Sequence, residues 1–192
     1  MRTWIGLSLA LTVLAGGQAP VARAATAPQE KIHDGGFENG DTAGVGTGWA
    51  SESWGTNTVQ FDLATDKVQS GKYYQHIRVD GYKDGSAQIR QLGLGLTKGQ
   101  PYTITLWMRG NLTVPVTVGF RKHVPPYTFY LKQDLHVSPA WQRFTISGAA
   151  SETDDNAGLY LTFGGNGDLW IDSISAKTAA DAPSAPAHST SP

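Results

Sequence analysis

The sequence predicts an all-β protein, an antiparallel sandwich or barrel, on three observations. Apolar and polar residues alternate with a period of two in eight separate segments, the mark of a half-buried strand. Turn-forming residues punctuate the gaps between them. Beyond an apolar run at the N-terminus, no window sustains the 3.6-residue period of an amphipathic helix, so crossover helices for a parallel sheet are missing.

The strands are expected at Lys72–Asp80, Ser86–Leu92, Pro101–Gly110, Val114–Arg121, Thr128–Val137, Trp141–Ser147, Gly158–Phe163 and Asp168–Ser175. The clearest is Pro101–Gly110, with Tyr102, Ile104, Leu106 and Met108 on one face and Thr103, Thr105, Trp107 and Arg109 on the other. Lys98-Gly99, Ser138-Pro139, Asp154-Asp155-Asn156 and Asn166-Gly167 supply the breaks. Eight or nine strands at such spacings build a sandwich or barrel.

The ends of the chain differ from its middle. Arg2 precedes an apolar run from Trp4 to Leu14, and Ala22-Arg23-Ala24 places small residues at a signal-peptidase site. That pattern is a secretory signal peptide over residues 1–24. The run stops at Gly16, Gly17, Gln18 and Pro20, short of the roughly 20 apolar residues that cross a bilayer. Residues 178–192 are mostly Ala, Pro, Ser and Thr with little to bury, so a disordered tail is expected there. A single domain over residues 31–177 remains, secreted and monomeric.

Charge narrows the partners. The 192 residues carry 15 Lys and Arg against 16 Asp and Glu. Loss of residues 1–24 would remove Arg2 and Arg23 and no acid, leaving 13 against 16, a net of −3. Nucleic-acid and anionic-membrane partners both need clustered basic residues, and neither is expected. The chain has no cysteine, so no disulfide staples this exported domain; its core, with a metal as the other resource, must hold it.

The usual catalytic signatures are missing. There is no H-E-x-x-H, no G-x-S-x-G elbow and no thiol nucleophile. His33, His76, His123, His136 and His188 show no metal-ligand spacing. The glycine clusters at residues 44–48 and 164–167 open no helix and read as loops. The carboxylate pairs Asp34/Glu38 and Asp154/Asp155 sit off the strand flanks and read as solvated acids or metal ligands rather than a glycosidase pair.

The aromatic residues point to a ligand. Trp107 and Tyr130 fall on the polar faces of their strands, Tyr82 lies in the polar loop Gly81–Gly85, and Trp49 and Trp54 lie in a Gly/Ser/Thr-rich segment. An exposed ring is a platform for the CH face of a pyranose, with polar neighbours bonding its hydroxyls. Arg109 and Arg121 have planar forks suited to paired oxygen acceptors. Arg121, His123, Tyr127 and Tyr130 make the most polar-aromatic stretch in the chain.

A longer pattern carries a resemblance. It runs through Asp34-Gly35-Gly36-Phe37-Glu38-Asn39-Gly40, then Trp49, Trp54 and Ser70-Gly71-Lys72-Tyr73, then Leu96 to Arg109. Trp141-Gln142-Arg143-Phe144 follows, and Leu169-Trp170-Ile171-Asp172-Ser173-Ile174 closes it. Over residues 31–177 this resembles the carbohydrate-binding modules of families 4, 9, 16 and 22. The resemblance implies a jelly-roll sandwich of the galactose-binding type that binds a polysaccharide such as xylan or β-glucan without cutting it. It also implies one structural calcium, with carboxylates from Glu38 and Asp172 and a backbone carbonyl near Lys72; calcium takes several oxygen ligands, carboxylates among them. Its stacking ring often precedes a strand in a W-x-G context, where this chain has Tyr82. The expected sugar contacts are therefore Trp54, Tyr82, Trp107, Arg109, Arg121, His123, Tyr127 and Tyr130. Two readings of other classes stand beside this one: a small glycan-active hydrolase or lyase on the same frame, and an adhesion module. Asn111-Leu112-Thr113 is a glycosylation sequon if the host uses it.

Overall fold

Alternation along each strand sends one set of side chains inward, and two sheets meet over that set. The structure, a computed structural model of the chain, describes residues 27–40 and 44–178. The expected signal peptide and tail, apart from Thr178, lie outside the described residues.

Within them are ten strands: β1 (Ala50–Trp54), β2 (Thr58–Ala64), β3 (Tyr74–Asp80), β4 (Ser86–Gln91), β5 (Pro101–Gly110), β6 (Val116–Arg121), β7 (Phe129–Leu135), β8 (Gln142–Ala149), β9 (Gly158–Phe163) and β10 (Gly167–Thr178). They form two antiparallel five-stranded sheets, β1-β4-β9-β6-β7 and β2-β3-β10-β5-β8. The architecture is all-β, a jelly-roll sandwich.

The inward faces are Ile89, Val118, Phe120, Leu159 and Leu161 from the first sheet and Ile77, Ile104, Leu106, Met108, Leu169 and Ile171 from the second, all fully buried. Each such side chain contributes about 1.5–3 kcal/mol on leaving water. That is how a cysteine-free chain is held.

Strands β1 and β2 are additions to the expected set. Both are edge strands, mostly exposed or half-buried; β1 carries no apolar alternation, whereas β2 alternates at Val59, Phe61 and Leu63, which pack half-buried against the core. The two ends of the domain meet at a seam. Lys31 N–H donates to Ala176 O at 2.8 Å, and Thr178 N–H donates to Gln29 O at 3.2 Å. The Glu30 carboxylate, held below its ordinary value by the Ser175 hydroxyl and three backbone N–H groups despite its partial burial, lies inside that seam.

Candidate functional site

The outward face of the β1-β4-β9-β6-β7 sheet holds a cavity of about 300 Å³ lined by Glu52, Trp54, Gln88, Arg121, His123, Tyr127 and Tyr160. Register explains the grouping. Glu52 pairs with Gln88 and Trp54 with Ser86, while Arg90 and Gly119 flank Tyr160. Alternation then points Glu52, Trp54, Gln88, Tyr160 and Arg121 to the same outer side.

The floor is built from buried polar groups. Tyr160 is fully buried, and its hydroxyl lies 3.0 Å from His123 Nδ1. The Arg121 guanidinium lies over the Tyr160 ring at 3.7 Å and reaches Tyr127 and Phe129 at 5.4 and 5.8 Å. Gln88 is 1% exposed. Its Nε2 donates to Glu52 Oε2 at 2.5 Å, which fixes the amide because a carboxylate only accepts. Gln88 Oε1 is thereby left without a partner, and so is Arg121 Nε. An unmet buried polar group costs about 1–3 kcal/mol.

The rims are apolar rings. Trp54 and Tyr127 are among the few large apolar side chains left exposed, at 50% and 51%. Tyr127 sits at φ +58°, a left-handed conformation rare for a residue with a side chain. Strain of this sort collects at ligand sites. A second cavity of about 250 Å³ adjoins the first across His123 and is lined by Lys122, Tyr130, Thr153, Asp154 and Asn156.

The expected contacts thus divide. Trp54, Arg121, His123 and Tyr127 come together in the groove. Glu52, Gln88 and Tyr160 join them unforeseen; only the outward position of Gln88 and Tyr160 beside apolar core neighbours could have signalled them. Tyr130 was expected on the polar face of its strand, but it is 8% exposed. The β6–β7 register shifts between Phe120 and Arg121, which breaks the period-2 count and sends Tyr130 inward. Its hydroxyl donates to Asp154 Oδ2 at 2.9 Å, and burial first, then that carboxylate, pushes it up to about 12. Trp49 is likewise a core ring at 5% exposure, packed on Phe37 with Nε1 donating to Asp34 O. Tyr82 is half-buried rather than a free platform. Its hydroxyl donates to Gly85 O at 3.2 Å, and Gly85 in turn lies so close to Trp54 O that a Cβ there would come within 1.8 Å.

Trp107 and Arg109 sit on the other sheet, on its outward face. There Trp170 opposes both Arg109 and His76, and the Arg109 guanidinium lies 4.3 Å from the Trp170 ring, 5.2 Å from Trp141 and 5.9 Å from Tyr74. His76 stacks on the far side of Trp170 at 5.1 Å, and its Nε2 donates to Asp168 Oδ1 at 2.9 Å. Neither residue reaches the groove.

Solved structures share this arrangement of sheets. A family 4 carbohydrate-binding module superposes with a TM-score of 0.56 at 18% identity, over 69% of this chain and 95% of its own. The CBM22-1 xylan-binding domain of Paenibacillus barcinonensis Xyn10C gives 0.58 at 14%, over 83% and 100%. The fold is that of the carbohydrate-binding modules. The enzymatically active domain of bacteriophage CBA120 tailspike protein 4 gives 0.61 at 13% over 78% of this chain, although only 21% of the tailspike chain takes part. No protein-family model matches the chain, and no curated protein matches it in sequence.

The residues that the resemblance assigns to calcium meet around one segment. Glu38 accepts from Lys72 N–H at 2.9 Å and Tyr73 N–H at 3.2 Å, and Asp172 Oδ2 accepts from Ser70 N–H at 3.0 Å. Gly35 docks the Glu38 loop on β10 so closely that a Cβ would come within 1.8 Å of Ile174 O. Asp172 is wholly buried, and burial pushes its carboxyl up despite the donors from Ser70 and Ser173. Among the described residues it has no cationic partner, and no three His, Cys, Asp or Glu side chains gather there. A buried carboxylate lacking a counter-charge fits a cation; with two carboxylates only, the remaining ligands would be backbone carbonyls. The Lys72 ammonium lies over the Tyr73 ring at 4.8 Å.

Proposed function

We propose that this is a secreted, monomeric, non-catalytic binder of a polysaccharide such as xylan or β-glucan, which it holds in the groove of the β1-β4-β9-β6-β7 sheet. The observation that carries this is the groove's make-up: two exposed rings, Trp54 and Tyr127, stand over a floor with an unmet acceptor, Gln88 Oε1, and an unmet donor, Arg121 Nε. Flat rings suit the CH faces of a pyranose. A hydroxyl both gives and accepts a hydrogen bond, so sugar hydroxyls can pair with the half-exposed Glu52 carboxylate as well as with donors of the lining. The shared fold with a xylan-binding domain supports the reading.

The tailspike likeness favours a second reading, a glycan-active enzyme. Against it, the groove lining contains one carboxylate, Glu52, among the described residues, where glycoside hydrolysis ordinarily takes two. Electrophoresis through gels containing xylan or β-glucan should retard the protein, and incubation with either polymer should release no sugar. Sugar release by the pure protein would make it an enzyme, and free migration through every glycan would leave the adhesion reading.

The calcium belongs to the same proposal, with Glu38 and Asp172 as its carboxylates. Bound there, it would supply the charge that Asp172 lacks and clip the Glu38 loop to β10. A chelator should then lower the melting temperature, and added calcium should restore it; an unchanged melting curve removes the metal.

A further inference from the structure

We propose that the saccharide taken by this groove carries an anionic group, a carboxylate or a sulfate, seated on Arg121. The inference rests on the glycan-binding reading above and goes on to name the chemical class of the glycan.

The two charges lining the cavity, Glu52 and Arg121, are met differently. Glu52 is answered from within the protein, by Gln88 Nε2 at 2.5 Å and by Arg90 Nε at 3.5 Å. Arg121 is not. No carboxylate of the described residues lies within ion-pair distance of it. What surrounds it is π faces, Tyr160 at 3.7 Å, Tyr127 at 5.4 Å and Phe129 at 5.8 Å, and its Nε is buried with no acceptor. An arginine keeps its charge under all ordinary conditions. Rings attract it, but they do not neutralise it.

The neighbouring charges lean the same way. Lys122, which follows Arg121 and lines the adjoining cavity with His123, has no ion pair among the described residues. Lys132 lies over the Phe129 ring at 5.6 Å. The acids nearby are engaged: Asp134 accepts from the Thr117 hydroxyl at 2.7 Å, and Asp154 accepts from the Tyr130 hydroxyl and from Asn156 N–H, each at 2.9 Å. A neutral hydroxyl beside the guanidinium would leave its charge unmatched. A carboxylate or sulfate matches it, through charge-assisted hydrogen bonds roughly twice as strong as neutral ones.

The test uses wild-type protein first, so that folding of a variant is not in question. Retention is measured on glucuronoxylan and polygalacturonate, each beside its carboxyl-reduced, neutral form, and on dextran sulfate beside dextran. We expect about tenfold or greater loss of affinity when the carboxylate is reduced to an alcohol. The gap should close in 1 M salt, where the Debye length falls to about 3 Å. It should also close in Arg121→Gln protein whose melting temperature matches wild type. With a net charge of −1 the chain gives polyanions no general attraction. Retention of dextran sulfate alone keeps the anionic site and names sulfate as its source. Equal retention of acidic and reduced forms overturns the inference while sparing the glycan reading; no retention on any polymer overturns both.

Discussion

The two outward faces of the sandwich carry the same device, an arginine laid across aromatic rings, and put it to different ends. Both arginines have a buried Nε without a partner. Around Arg109 the device is shut. The Trp141 indole N–H donates to Lys67 O at 3.0 Å and the Tyr74 hydroxyl to Asp66 at 2.5 Å, so the loop between β2 and β3 ties the rings down. Around Arg121 the device is open: Trp54 and Tyr127 stay half exposed above a cavity of about 300 Å³. The composition of such a cluster therefore does not separate a cover from a site. What separates them is whether the protein itself ties the rings down.

The largest effect expected from this difference comes from removing one ring on each face. Trp54→Ala and Tyr127→Ala should each weaken glycan retention by about 2 kcal/mol, ~30-fold, at nearly unchanged melting temperature. Trp170→Ala should leave retention intact and lower the melting temperature by roughly 4–8 °C, because it removes packing between His76 and Arg109. Retention lost on the Trp170 side would put the site on the wrong face.

Next in size is the tie itself. Tyr74→Phe deletes the hydroxyl bonded to Asp66 and should cost about 1 kcal/mol of stability with no change in glycan binding. A change in binding measured by calorimetry would mean that the two faces are coupled.

A further effect appears only at alkaline pH. Burial, with Asp66 beside one hydroxyl and Asp154 beside the other, pushes Tyr74 and Tyr130 up to about 12. A phenol whose folded value is raised stabilises the fold fully below its unfolded value of about 10, and that contribution is lost as pH climbs toward 12. Melting temperature should hold steady to about pH 10 and then fall, less steeply in Tyr74→Phe and Tyr130→Phe proteins. An equally steep fall in both variants would place the alkaline lability elsewhere.

The sequence was legible where burial is one-sided. Strands such as β5, with Tyr102, Ile104, Leu106 and Met108 inward, announce themselves because each alternate position leaves water. Edge strand β1 buries too little to show a period, and β2 shows one only at the half-buried Val59, Phe61 and Leu63. Of the groove, Arg121, His123 and Tyr127 were readable as one polar-aromatic stretch, since they are neighbours in the chain. Gln88, Glu52 and Tyr160 come from three other strands, and only sheet register brings them alongside. Tyr130 misled because a single register shift reverses which side an alternating pattern faces.

The seam joining Gln29–Lys31 to Ala176–Thr178 has a mechanical consequence. Because the two strands are antiparallel and leave the domain side by side, tension between the chain's two arms acts as a zipper pull. It opens the seam one hydrogen bond at a time, while the same end of β10, paired with Tyr102, Thr103 and Ile104 of β5, takes load within its own sheet; the Arg121 groove lies on the other sheet. A hold on a polymer at the groove would survive tugs on the arms that first spend themselves at the seam.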